Sequence, residues 1–200
     1  MAIYENIEWT NTWAEETGRS DKLRVLLVGD SIANGARARA KEALGEEILL
    51  DMLATSHALD NPSFRSELDD FLRRSRYDVI HFNNGLHGFH LSAPEYERLY
   101  AETTSHLLEV CPDARLILAL STPITRTGDP SEFDEKNRVV LERNEAVRRI
   151  AERFSLPVND LYGKVAGKPE IRSTDGYHYN DSGCLLIGGE IARAVKETKG

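Results

Sequence analysis

Leu23-Arg24-Val25-Leu26-Leu27-Val28-Gly29-Asp30-Ser31-Ile32-Ala33-Asn34-Gly35 is the stretch that decides the fold. It opens with a Val/Leu-rich run, the composition of a strand buried on both faces. A Gly-Asp-Ser turn follows, and then a helical segment at 34–44. Apolar runs at 23–28, 48–53, 79–82, 116–120 and 156–158 alternate with helical segments at 34–44, 63–74, 94–110, 135–153 and 181–196. Within 135–153, Val139, Val140, Ala146, Val147, Ile150 and Ala151 recur at three and four residues and leave Arg and Glu on the opposite face. Alternation of this kind predicts an α/β protein: a doubly wound, three-layer α/β/α sandwich with right-handed crossovers. The expected sheet is parallel and five-stranded, in the flavodoxin-like order 2-1-3-4-5. It occupies a domain at 22–200, preceded by an N-terminal arm at 1–21 that contains Trp9 and Trp13. The arm is read either as packing on the domain or as shaping a pocket or a dimer contact.

Composition removes several function classes. The 200 residues carry 25 Lys plus Arg against 33 Asp plus Glu, a net charge of −8 with no basic tract, which argues against a nucleic-acid partner. No apolar run approaches the ~20 residues of a membrane span, so no membrane partner is expected. Cys111 and Cys184 stand far apart with no CxxC, which fits reduced thiols rather than a disulfide framework or a zinc cluster. No metal and no cofactor are expected. The acidic, polar start of the chain lacks the pattern of a signal peptide, so a cytoplasmic location is expected.

In an open α/β sheet, ligands bind beyond the carboxyl ends of the strands. Ser31 stands there after the first strand, on a turn entering a helix. That place suits a nucleophile, because its hydroxyl is displayed at the rim and its N–H lies at a partly positive helix end. It also suits a plain helix N-cap. The run has neither the glycine spacing of a dinucleotide fingerprint nor the lysine of a P-loop. Before the last helix comes Thr174-Asp175-Gly176-Tyr177-His178-Tyr179-Asn180. Asp175 and His178, three apart on a turn, have the spacing for a carboxylate that orients an imidazole whose other nitrogen faces outward. Ser, Asp and His thus reach one rim in that order.

Val28-Gly29-Asp30-Ser31 and Asp175-Gly176-Tyr177-His178 together resemble the first and last signature blocks of the SGNH hydrolases, the GDSL-type lipase and acylhydrolase superfamily. Ser121-Thr122-Pro123, Arg143-Asn144 and Val158-Asn159-Asp160-Leu161 are similar to lesser features of that family. The resemblance implies a serine esterase with Ser31 as nucleophile, His178 as base and Asp175 as its orienter. Two blocks depart from the pattern. The segment Leu53-Ala54-Thr55-Ser56-His57-Ala58 lacks the usual oxyanion glycine, so the Ser56 N–H or a neighbour is the substitute. Asn83-Asn84-Gly85-Leu86-His87-Gly88 replaces GxND. Gly85 then falls on the family's glycine, and either His87 or Asn84 supplies the second donor.

The expected substrate is a short-acyl ester of a carbohydrate or other small polar molecule, because the rim segments are polar, and −8 disfavours anionic esters. Alternatives from other classes are a lipase- or thioesterase-type acylhydrolase, a metal hydrolase using His87, His90, Asp175 and His178, and a non-catalytic binding module. Among nearby polar groups, Asp30 is read as bracing the Ser31 turn and His81 as a core histidine. Asp51 either supports the oxyanion loop or serves a simple turn.

Overall fold

The computed structural model describes residues 4–198; residues 1–3 of the arm and 199–200 of the domain lie outside it. In chain order the elements are β1 (Thr10–Trp13), β2 (Leu23–Gly29), α1 (Ser31–Leu44), β3 (Ile48–Thr55), α2 (Pro62–Arg74), β4 (Val79–Phe82) and α3 (Ala93–Val110). They continue with β5 (Arg115–Ala119), β6 (Thr125–Arg126), β7 (Asp129–Phe133), α4 (Asn137–Phe154), β8 (Val158–Asn159), α5 (Leu161–Val165), a 3₁₀ turn (Pro169–Ile171) and α6 (Asp181–Glu197).

Five strands run parallel in the order β3-β2-β4-β5-β8, and this part of the sheet follows the expected connectivity. The expected all-parallel, five-stranded sheet is nevertheless incorrect. A sixth strand, β1 from the arm, adds antiparallel to β3 with Thr10 opposite Thr55 and Trp13 opposite Met52, so the sheet is mixed. Its residues face solvent on one side, and their polar Thr-Asn-Thr sequence acquires strand geometry only from the unpaired edge of β3. A further antiparallel pair, β6–β7, stands apart from the main sheet.

Alternation along β2 divides the core. Val25 and Leu27 point to the layer of α1 and α6, where they meet Ala36, Ala40, Ile187 and Ile191. Leu26 and Val28 point to the layer of α2, α3 and α4 and meet Phe64, Phe71, Tyr100 and Val147. Burial on both faces explains why the strands read as mainly apolar runs. One polar interruption, Asp51 in the middle of β3, is neither in a turn nor near an oxyanion loop. Its carboxylate is 1% exposed and accepts from Arg24 at 2.9 Å, Tyr77 Oη at 3.0 Å and the Glu15 N–H at 2.9 Å. Cys111 and Cys184 are free and only partly buried.

Removing one partner of a buried ion pair strands the other charge, which costs about 3–5 kcal/mol. Asp51→Ala is therefore expected to lower unfolding free energy by about that amount in urea titrations, whereas Glu102→Ala, which removes only an exposed pair with Arg98, shifts it by less than about 1 kcal/mol.

Candidate active site

At the carboxyl end of β2 the chain turns directly into α1. Asp30, not Ser31, is the N-cap: its Oδ1 accepts the Ile32 N–H at 2.9 Å. Ser31 becomes the first residue of the helix, where backbone N–H groups have no intrahelical partner. Capping by Asp30 leaves the serine hydroxyl to be used elsewhere. That hydroxyl lies 2.9 Å from Nε2 of His178, and Nδ1 of His178 lies 2.7 Å from Oδ2 of Asp175.

The loop between the 3₁₀ turn and α6 carries the aspartate and histidine, and it is tied down at several points. The Ser173 N–H donates to His178 O at 3.0 Å, and the Asn180 N–H donates to Ile171 O at 3.0 Å. Arg172, buried, donates to Tyr179 Oη, to Pro123 O and to Gly176 O at 2.6, 2.9 and 2.9 Å. Gly176 itself has a φ of +89°, and a Cβ there would sit 2.4 Å from the Thr125 carbonyl oxygen, so glycine is required by both conformation and space.

Asp175 is half exposed, yet its charge state is firmly set. Burial pushes its carboxyl upward, but hydrogen bonds from the backbone N–H groups of His178 and Tyr177 and from the His178 ring outweigh that and hold it well below the usual carboxylate range. An ionised Asp175 keeps the proton on Nδ1 of His178 and leaves Nε2 as the acceptor of the Ser31 O–H.

Ser31 and His178 open onto a cleft of about 480 Å³ whose walls are Glu5, Trp9, Asn11, Asn34, Leu86, His87, Phe89 and Tyr177. Of the four residues expected to form the oxyanion hole, only His87 lines it. Ser56 is fully buried and spent on the arm: its N–H donates to Trp9 O at 3.0 Å and its Oγ accepts from the Trp9 N–H at 2.8 Å. Asn84 is also buried, with its amide donating to His57 O at 2.9 Å. Gly85 packs on Ser121, whose Oγ would lie 1.3 Å from an added Cβ. His90 is turned to Asp60 at 3.0 Å. Among the described residues no three His, Cys, Asp or Glu side chains are placed to hold a metal ion. His81 is buried, accepts from Asn159 Nδ2 at 3.0 Å and is pushed down to about 4 by burial, so it is neutral at neutral pH.

Glu5, Trp9 and Asn11 of the arm line the cleft, the pocket-shaping alternative for that segment, and Asn34, Phe89 and Tyr177 join them as further cleft residues, which the motif reading did not single out for that role. The Trp pair in an otherwise polar arm was the one available signal. A second omission is Arg143 of α4. Its buried guanidinium donates to the carbonyls of Gly85 and His87 at 2.9 and 2.7 Å and of Gly88 at 2.6 Å, which fixes the loop after β4.

No protein-family model matches the sequence, and no curated protein matches it. Solved structures do share its fold. A carbohydrate acetylesterase from Sinorhizobium meliloti superposes with a TM-score of 0.73 at 14% identity, covering 88% of this chain and 100% of the other. An acetylxylan esterase from Geobacillus stearothermophilus gives 0.67 at 17% identity, over 86% and 94%. A GDSL-like lipase from Bacteroides thetaiotaomicron gives 0.70 at 13% identity, over 92% and 95%. The chain therefore has the fold of these proteins.

The depressed Asp175 carboxyl has a measurable consequence. A group whose folded pKa lies below its unfolded value contributes stability that is complete above the unfolded value, about 4, and is lost as pH falls further. The stability advantage of wild type over Asp175→Asn is expected to shrink as pH falls below about 4, where the unfolded-state carboxylate takes up its proton. Denaturant titrations at a series of pH values check it.

Proposed function

We propose that the protein is a serine ester hydrolase of the SGNH type. The observation that carries this reading is the continuous chain from Ser31 Oγ to His178 Nε2 at 2.9 Å and from His178 Nδ1 to Asp175 at 2.7 Å, opening on a cleft. The esterase names borne by several proteins of the same fold support it.

Ser31 Oγ attacks the ester carbonyl carbon while its proton passes to Nε2 of His178. Asp175 stabilises the resulting imidazolium. The tetrahedral oxyanion is met by the Ser31 N–H at the positive end of α1, with the Asn34 amide, one helical turn along and also in the cleft, as the second donor. His178 then returns the proton to the leaving alkoxide, the alcohol departs, and the acyl group remains on Ser31. Water adds to the acyl-enzyme as His178 takes its proton. Collapse releases the carboxylic acid and restores the serine O–H.

The alcohol half of the substrate is a neutral, hydroxylated group and the acyl half is short. The cleft mixes aromatic faces of Trp9, Phe89 and Tyr177 with the polar groups of Asn11, Asn34 and His87, a lining suited to a sugar ring. The molecule's charge of −8 disfavours anionic esters.

Ser31→Ala is expected to reduce hydrolysis of p-nitrophenyl acetate by at least about 10³-fold and to abolish labelling by a fluorophosphonate. Because the Asp175 carboxyl is held well below the usual carboxylate range, its protonation should add no step to the wild-type rate profile near neutrality. A Ser31→Ala variant that retains the wild-type rate would rule the reading out.

A further inference from the structure

Resting on the esterase reading, we propose that Glu5 of the N-terminal arm is a positioning residue. It fixes His87 as a hydrogen-bond acceptor for a free hydroxyl on the substrate's alcohol half, next to the acylated oxygen. The substrate class is thereby narrowed to partially acylated polyols and sugars in which the neighbouring hydroxyl is unmodified.

The cleft holds two carboxylate–histidine pairs, not one. Besides Asp175–His178, both oxygens of Glu5 face Nδ1 of His87, at 3.0 and 3.1 Å, and Oε1 also accepts the Gly88 N–H at 3.3 Å. A carboxylate only accepts, so a proton sits on Nδ1, and in the neutral imidazole the lone pair lies on Nε2. This is the tautomer that Asp175 imposes on His178. It does not suit an oxyanion donor, because a lone pair facing a developing negative charge repels it. It suits the O–H of a substrate hydroxyl.

His87 is held from three directions. Arg143 donates to its carbonyl oxygen at 2.7 Å, Trp9 packs edge-on against its ring with centroids 6.2 Å apart, and Glu5 binds Nδ1. Two of those three contacts come from the arm, which is separated from His87 by some eighty residues of chain. With Nδ1 committed, Nε2 is the ring nitrogen available in a cleft shared with Ser31 and His178. The Trp9 and Tyr177 rings of the same cleft supply apolar surface for the carbons of the alcohol ring, and Asn11 supplies a further polar group.

The test uses a methyl glycoside monoacetate with a free hydroxyl adjacent to the ester, and the same compound with that hydroxyl methylated. Wild type is expected to favour the free hydroxyl by about tenfold in kcat/KM, the worth of one hydrogen bond. In His87→Phe and in Glu5→Ala that ratio should fall to about two or less. Glu5→Gln, whose amide oxygen still accepts from Nδ1–H, should keep most of it. The ratio is the decisive readout, since a merely structural role of the arm lowers both rates together and leaves the ratio unmoved. No preference in wild type, or an unchanged ratio in folded His87→Phe and Glu5→Ala, overturns the proposal. Should His87→Phe fail to fold, the Glu5→Ala and Glu5→Gln pair decides alone. Wild-type hydrolysis of p-nitrophenyl acetate is measured alongside. Its absence, together with no fluorophosphonate labelling, would sink the esterase reading itself, whereas its presence with an unmoved ratio would sink only the role of Glu5 and His87.

Discussion

A buried guanidinium with no carboxylate beside it among the described residues shapes the cleft. Arg143 is 1% exposed, and burial lowers its pKa, yet an arginine remains charged. Its charge is met by three carbonyl oxygens of one loop and by the faces of Tyr96 and Phe89, with the guanidinium carbon 4.5 and 5.0 Å from the ring centroids. The loop turns the carbonyls of Gly85, His87 and Gly88 toward this single point. An uncompensated charge in that place costs several kcal/mol, so alternative loop conformations are expensive. The position of His87 follows from this one side chain.

Arg172 plays the matching part across the cleft, satisfying the carbonyls of Pro123 and Gly176 around the Asp175–His178 loop. The division of labour is consistent. Both clamps recruit carbonyl oxygens rather than carboxylates, which leaves Asp175 and Glu5 to their histidines. Asn144 adds to the frame by pairing through its amide with both the N–H and the C=O of Ser121, at 2.8 and 2.9 Å. Asp175 and His178 are half exposed, and their placement comes from the backbone behind them rather than from enclosure.

The parallel strands and the Ser31, Asp175 and His178 positions were legible because their signals are local. Strands buried on both faces are mainly apolar, and the turn residues around Asp175 sit within a few positions of the groups they orient. What was illegible depended on partners distant in sequence. Thr10-Asn11-Thr12-Trp13 carries no strand pattern of its own, since three of its four residues face solvent and β3 supplies the pairing. Ser56 was a reasonable backbone donor until Trp9, 47 residues away, took both its N–H and its hydroxyl. The start of β8 was placed too early because Leu156 and Pro157 continue the apolar run, although proline cannot donate to a ladder.

The arm shows why the same residues serve stability and selectivity at once. An open β3 edge would be a template for a second chain, and β1 covers it with a short strand fastened by side chains: Thr10 Oγ1 reaches Glu67 at 2.9 Å, and the Arg37 guanidinium lies 4.0 Å over the Trp13 ring. Pairing with β3 in this register leads the preceding residues across the mouth of the cleft, so that Trp9 and Glu5 arrive beside His87 without a separate domain to carry them. A one-residue slip of β1 would turn every side chain of the strand to the other face and withdraw that wall. Edge protection and the shape of the cleft are therefore set by a single register.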